Sequence, residues 1–85
     1  MAIKKYNAKV NIFLKPTVND PQGITVKATL QSLGFNLEKV RVGKFIEIFL
    51  EANSTEEAHE YTTQMCEKLL ANAIIEHFTV QVEES

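Results

Sequence analysis

The chain has 85 residues, 45% of them hydrophobic and 24% charged, with a formal net charge of −2. That length excludes a second core, and that composition excludes a disordered segment. A chain this short buries only about 60% of the surface exposed by its unfolded form, so self-association is an expected source of extra stability.

The one cysteine, Cys66, can form neither an internal disulfide nor a CxxC metal or redox pair, and it reads as a small buried hydrophobe. The start, Met1-Ala2-Ile3-Lys4-Lys5-Tyr6, lacks the apolar core of a secretory signal, and no apolar run approaches the roughly 20 residues needed to cross a bilayer. A cytoplasmic location is the expectation, in which Asn53-Ser54-Thr55 is a helix-start sequence and not a glycosylation site. Charge is divided unevenly. Residues 1–44 hold eight of the nine basic side chains against two acidic ones, whereas residues 45–85 hold Lys68 against nine glutamates.

From Tyr6 to Leu14 apolar and polar residues alternate, which predicts a half-buried strand. Asp20-Pro21 then reads as an N-cap followed by proline in the first helical turn. Ile24, Val26, Ala28, Leu30 and Leu33 are expected to form the buried stripe of that helix, and Gly34 to end it. Val40 and Val42, a reversal at Gly43-Lys44, and Ile46, Ile48 and Leu50 predict two strands joined by a hairpin, with one long bent strand as the alternative. Ser54 and Glu57 make a capping box for a second helix through Ala58, Tyr61, Thr62, Met65 and Leu69, which ends near Ala71-Asn72. Phe78, Val80 and Val82 mark a last strand.

The order βαββαβ predicts an α+β, ferredoxin-like fold over 1–85: a four-stranded antiparallel sheet with both helices on one face. Phe13, Phe45 and Phe49 then fall on the uncovered face together with Glu47. Leaving each ring in water forgoes roughly 1.5–3 kcal/mol, so this face is predicted to take a partner, most simply a second copy.

Side chains capable of chemistry are few. A soft-metal chaperone needs two thiolates on its first loop. An RNA-binding sheet would stack bases on the same phenylalanines, but Glu47 and Glu51 among them repel phosphate. Lys9, Lys15, Lys39 and Arg41 are candidates to pair with those glutamates, within the chain or across a dimer. His59 and His77 have no spacing that suggests a shared metal. Glu56, Glu57 and Glu60 stabilise a helix start, and neither Gly23 nor Gly43 belongs to a phosphate-binding loop.

Four segments stand in one register: Lys15 to Gly23 ending Asp20-Pro21-Gln22-Gly23; Leu33-Gly34-Phe35; Val40-Arg41-Val42-Gly43-Lys44-Phe45-Ile46-Glu47; and Met65 to Asn72 followed by Ile75-Glu76. Together they resemble the PurS family, the small subunit of phosphoribosylformylglycinamidine synthase. Ala73 stands where that family commonly has proline, and His77 where it has an acidic or amide residue. The resemblance implies a noncatalytic subunit that bridges a glutaminase subunit and a large synthetase subunit, which convert formylglycinamide ribonucleotide to the amidine. ATP and magnesium would be used by the large subunit and no cofactor would be bound here.

Self-association is assigned to Phe13, Phe45, Phe49 and Glu47. Contacts to the larger subunits are assigned to Asp20, Pro21, Gln22, Gly23, Arg41, Gly43, Lys44 and Asn72. Among these, Arg41 and Lys44 are favoured as cations without a local structural duty. The competing reading is a stand-alone dimeric module that binds a small metabolite.

Overall fold

The computed structural model describes residues 3–85. Strand β1 (Lys4–Leu14) is followed by helix α1 (Pro21–Ser32), strand β2 (Gly43–Ala52), helix α2 (Thr55–Met65) and strand β3 (Glu76–Glu84); a π-helical turn, Cys66–Leu70, prolongs α2. The sheet is antiparallel with β1 in the centre, in the order β2-β1-β3. The alternation read in β1 is strict: Tyr6, Ala8, Val10 and Ile12 are all buried. With Ile46, Ile48 and Leu50 of β2 and Phe78, Val80 and Val82 of β3 they form the face that α2 covers through Ala58 and Cys66. No helix among the described residues is long and apolar enough to cross a membrane.

Both helices start as their sequences direct. The Asp20 carboxylate caps α1 by accepting from Gly23 N–H at 2.9 Å. Ser54 caps α2 by accepting from Glu57 N–H at 3.1 Å, while Glu57 reaches back to the Asn53 N–H at 3.1 Å. Gly34, at φ +100°, terminates α1; the Gly34 N–H donates to the Gln31 carbonyl and the Phe35 N–H to the Leu30 carbonyl, a Schellman motif that only a residue free to adopt positive φ supports without strain.

Two expectations fail between residues 15 and 42. The sheet has three strands, because residues 40–42 form no strand and Gly43 begins β2 instead of turning a hairpin. The polar groups of this stretch are engaged elsewhere. The Val42 N–H donates to Asp20 Oδ2 at 2.9 Å, and the Arg41 guanidinium donates to the Leu14 and Lys15 carbonyls at 3.1 Å and to that of Val18 at 3.4 Å.

The second failure is that α1 does not lie on the sheet: it makes no substantial contact with any strand or with α2. Ile24 and Leu33, expected in a buried stripe, are 58% and 69% exposed. The spacing explains this. Residues 24, 26, 28 and 30 repeat every two positions, and at 3.6 residues per turn Ile24 and Ala28 fall on the side of α1 opposite Val26, Leu30 and Leu33. The molecule is consequently long, 57 × 26 × 15 Å, with a radius of gyration of 16.7 Å, against about 12 Å for a compact chain of this length.

Candidate functional site

The surface of the sheet away from α2 is open. Along its centre run Lys5, Asn7, Lys9, Asn11 and Phe13 of β1, opposite Glu51, Phe49, Glu47, Phe45 and Gly43 of β2 in that order. On the other side Asn7, Lys9, Asn11 and Phe13 oppose Glu83, Gln81, Thr79 and His77 of β3. Phe13, Phe45 and Phe49 are 41%, 57% and 71% exposed, so the structure puts all three rings and Glu47 on the uncovered side, as their parity in the strands requires. Phe13 leans on His77, ring centroids 5.8 Å apart and tilted by 52°. Lys9 Nζ meets Glu83 Oε1 at 3.0 Å, and Asn7 Nδ2 donates to Glu47 Oε2 at 3.2 Å. The Asn7 side-chain carbonyl oxygen is buried with no hydrogen-bond partner among the described residues.

Among the described residues none of Lys9, Lys15, Lys39 and Arg41 pairs with Glu47 or Glu51 as expected. Lys9 does pair with a glutamate across the strands, but with Glu83 of β3, while Glu47 takes Asn7. No polar side chain stands between Phe45 and Phe49 except Glu47. The face is an apolar surface crossed by a band of alternating charge, which suits a protein partner better than a polyanion.

The remaining predicted contact residues gather at the end of the sheet where α1 departs. Asp20, Pro21, Gln22, Gly43 and Lys44 line one side of a shallow cavity of about 350 Å³ together with Leu14, Val42 and Glu76. A neighbouring cavity of about 420 Å³ is bordered by Asp20, Gly23, Lys27 and Arg41 among others. Asp20 is the buried knot between them, its two oxygens accepting from Gly23 and Val42. Those two amides, and to a smaller degree the Arg41 charge, hold its carboxyl below the usual carboxylate range against the opposing effect of burial. Gly23 is needed for this approach, since a Cβ there would sit against the Val40 carbonyl oxygen and the Asp20 carboxylate. A Cβ on Gly43 would lie 2.6 Å from the Ile12 carbonyl oxygen.

The reasoning that favoured Arg41 and Lys44 is corrected by this geometry. Both have local structural duties: Arg41 ties the last carbonyl of β1 to two carbonyls of the loop after it, and Lys44 Nζ lies 3.6 Å from Glu76 Oε2. The other oxygen of Glu76 accepts from the Asn72 N–H at 2.7 Å, and Asn72 Oδ1 accepts from the Ile74 N–H at 3.0 Å. The π-helical turn itself stops at Ala71; Asn72 opens the turn that leads on to β3, its carbonyl accepting from the Ile75 and Glu76 N–H groups, and Glu76 joins it to the start of β2. Sequence reasoning gave Glu76 no role, although a carboxylate placed between a helix stop and a strand start is the signal that could have found it.

Cys66 is buried in the core, and its thiol is pushed up by burial and by the neighbouring Glu67, the opposite of what activates a nucleophile. Among the described residues no three His, Cys, Asp or Glu side chains converge on a point suited to a metal.

Comparison with known proteins decides the family. The family described as PurS: Phosphoribosylformylglycinamidine (FGAM) synthase matches residues 7–84. The chain belongs to the PurS family. It is 42% identical over 80 residues to the PurS subunit of Bacillus subtilis phosphoribosylformylglycinamidine synthase, covering 93% of this chain and 94% of that one. Its fold superposes on the crystal structure of Methanocaldococcus jannaschii PurS with a TM-score of 0.86 at 38% identity, covering 94% and 98% of the two chains. It also matches a chain in the structure of PurLQS from Thermotoga maritima, with a TM-score of 0.84, 31% identity and coverage of 98% and 100%. The resemblance read in the four sequence segments is therefore correct, and the function is that of the PurS subunit of FGAM synthase, in purine biosynthesis.

Proposed function

We propose that this PurS chain acts as a noncatalytic connector: it pairs with itself through the open sheet face and holds the glutaminase and large synthetase subunits of FGAM synthase together. The observation that carries this reading is the open face itself, three exposed phenylalanines on a surface with no helix over it. The full-length match to a chain of the Thermotoga PurLQS assembly supports the same placement.

The chemistry explains why a connector is useful. Ammonia released from glutamine in one subunit must reach an activated amide in another, and in bulk water it is diluted and largely protonated to an ion that is not a nucleophile. A subunit that closes the path against solvent preserves the nucleophile without touching a reacting atom. ATP and magnesium belong to the large subunit, no cofactor to this one, and the complex works in the cytoplasm. The junction residues Asp20, Pro21, Gln22, Gly23, Arg41, Gly43, Lys44 and Asn72 form the end offered to the larger subunits. They do so as a surface whose shape is set by Asp20, Arg41 and Glu76.

The test is reconstitution. Added to the glutaminase and synthetase subunits, the chain is expected to restore glutamine-dependent formation of the amidine while leaving ammonia-dependent turnover by the synthetase largely unchanged. Equal glutamine-dependent rates with and without the chain would sink the proposal. A ligand-dependent rise in melting temperature of the isolated chain, with no association to either subunit, would favour the metabolite-binding module instead.

A further inference from the structure

Ion pairs lie on the sheet and not beside it. On the sheet, Lys4, Lys9 and Lys44 lie 3.5, 3.0 and 3.6 Å from Glu84, Glu83 and Glu76. Residues 15–42 hold Lys15, Lys27, Lys39 and Arg41 against Asp20 and Glu38, and among the described residues none of these forms an ion pair. Three of the cations share one site. Lys27 of α1 and Lys39 and Arg41 of the returning segment border the same open cavity of about 420 Å³.

The two acids at the cavity leave these cations without a partner. Asp20 lowers its pKa in part through the Arg41 charge, but it is buried and its oxygens already accept from the Gly23 and Val42 N–H groups. Glu38 is exposed and pairs with no cation. Arg41 is held in place by the Leu14, Lys15 and Val18 carbonyls, which engage its N–H groups and leave its charge. Lys27 follows Gly23 by four residues, and at 3.6 residues per turn this side of α1 is turned from Val26 and Leu33. The cavity is therefore separate from the apolar side of the helix. Like charges gathered at one opening repel each other, and a cleft of predominantly one sign concentrates its field on an incoming ion of the other.

The walls narrow the choice of anion. No aromatic side chain borders the cavity, so a nucleotide base has nothing to stack on, and the acids Asp20 and Glu38 oppose a run of phosphates. A second copy of the chain has no suitable acid to offer. Every glutamate of residues 45–85 stands on a strand or on α2 and its π-helical continuation, and a helix with its side chains is about 10–12 Å across, too broad for this opening. What enters is a loop, one chain thick, that carries one or two carboxylates.

We infer that the cavity between α1 and the returning segment receives an acidic loop of a larger subunit, with Lys27, Lys39 and Arg41 as its counter-charges. The inference rests on the connector reading and gives its contact at this end a chemistry. Arg41 is the fixed member of the set and the two lysines are the adaptable ones. Glu38, on the same opening, limits how much negative charge the site accepts, since a longer acidic run meets its repulsion. A contact of this kind speeds encounter and selects the partner more than it adds affinity, and it weakens as salt rises.

Binding and turnover are measured separately. The chain, labelled with a fluorophore at its amino terminus, is titrated with each larger subunit and with both, and glutamine-dependent amidine formation is followed in the same mixtures. Lys27→Gln/Lys39→Gln is expected to weaken binding about tenfold at about 50 mM salt and much less at about 300 mM, where exposed charges are screened. Glu38→Gln is expected to tighten binding, a result that a folding defect cannot mimic. Equal affinities for all three chains, or a loss in the double variant that is the same at both salt concentrations, overturn the inference. A double variant that binds the subunits normally but falls in mass in sedimentation overturns it as well, because its lysines then serve a second copy. The connector reading fails in a different way: the unsubstituted chain then binds, with the same dependence on Lys27, Lys39 and salt, and restores no turnover. A chain that binds neither subunit sinks both.

Discussion

The body of the molecule and its arm obey different rules. In the body, β1 contributes four consecutive inward side chains that are all buried, and α2 closes over them with Ala58, Thr62 and Cys66. In the arm, residues 15–42, Asp20 and Gly23 alone are buried, and the large apolar side chains point outward. The body is stabilised by what the chain places on itself. The arm is held at its base by polar bonds, and its apolar surface awaits another protein. A mutation should therefore be felt globally in one region and only locally, or only in the assembly, in the other.

The largest effect belongs to the body. Ile12→Ala removes a side chain that is 1% exposed, between β1 and α2. It is expected to cost about 2–5 kcal/mol in urea unfolding, enough to unfold a small domain of ordinary stability. A cost under about 1 kcal/mol would mean that the body is looser than the packing of Val10, Ile12 and Cys66 indicates.

Next comes the base of the arm. Gly23→Ala drives a Cβ against the Val40 carbonyl oxygen and the Asp20 carboxylate, and is expected to cost about 1–3 kcal/mol by overpacking. The loss should appear as fast amide exchange in α1 with β1 still protected. Equal loosening of both would erase the distinction between body and arm. Gly34→Ala, at φ +100°, should cost about 1 kcal/mol for the left-handed conformation alone, because nothing lies near the added methyl group.

Asp20 makes the comparison dependent on pH. Its folded carboxyl is held below the ordinary value by the Val42 and Gly23 amides, so its contribution is fully present above the unfolded carboxylate pKa of about 3.9 and is lost as pH falls through the folded value. The arm should accordingly be protected from exchange at pH 6 and released in acid below about pH 4. Asp20→Asn should remove that acid-dependent step while preserving the cap, since an amide oxygen still accepts from Gly23. An unchanged pH profile in Asp20→Asn would show that another group holds the arm.

The same division governs what could be read from the sequence. Tyr6 to Leu14, Ile46 to Leu50 and Phe78 to Val82 alternate strictly, and a period of two has one structural meaning when one face is buried. From them the strands, the covered face and the exposed phenylalanines all followed. The capping residues Asp20, Ser54 and Gly34 were legible for the same reason: each satisfies backbone groups within a few residues of itself. Between Ile24 and Leu30 apolar residues also recur every two positions, but in a helix, and counting them as one stripe hid the fact that they face opposite ways. Val40 and Val42 looked like a strand because nothing local reveals that the Val42 N–H goes to Asp20, 22 residues earlier. Arg41 looked idle for a similar reason, its three carbonyl partners lying 23 to 27 residues away. The family resemblance was readable because motif order survives even where tertiary contacts cannot be inferred.

The smallest effect on the single chain sharpens the comparison most. Leu69 is 83% exposed, so Leu69→Lys should change the unfolding free energy of the dilute chain by no more than about 0.5 kcal/mol. In the assembled protein the substitution sets a charge in the exposed apolar strip of Tyr61, Met65 and Leu69, where an unpaired cation is costly once the strip is covered. The prediction is a split result: an unchanged melting curve at low concentration, and a weight-average mass in sedimentation that falls relative to the unsubstituted chain at high concentration. A similar fall in stability under both conditions would place Leu69 in the body. No change under either would leave that strip outside every interface of the assembly.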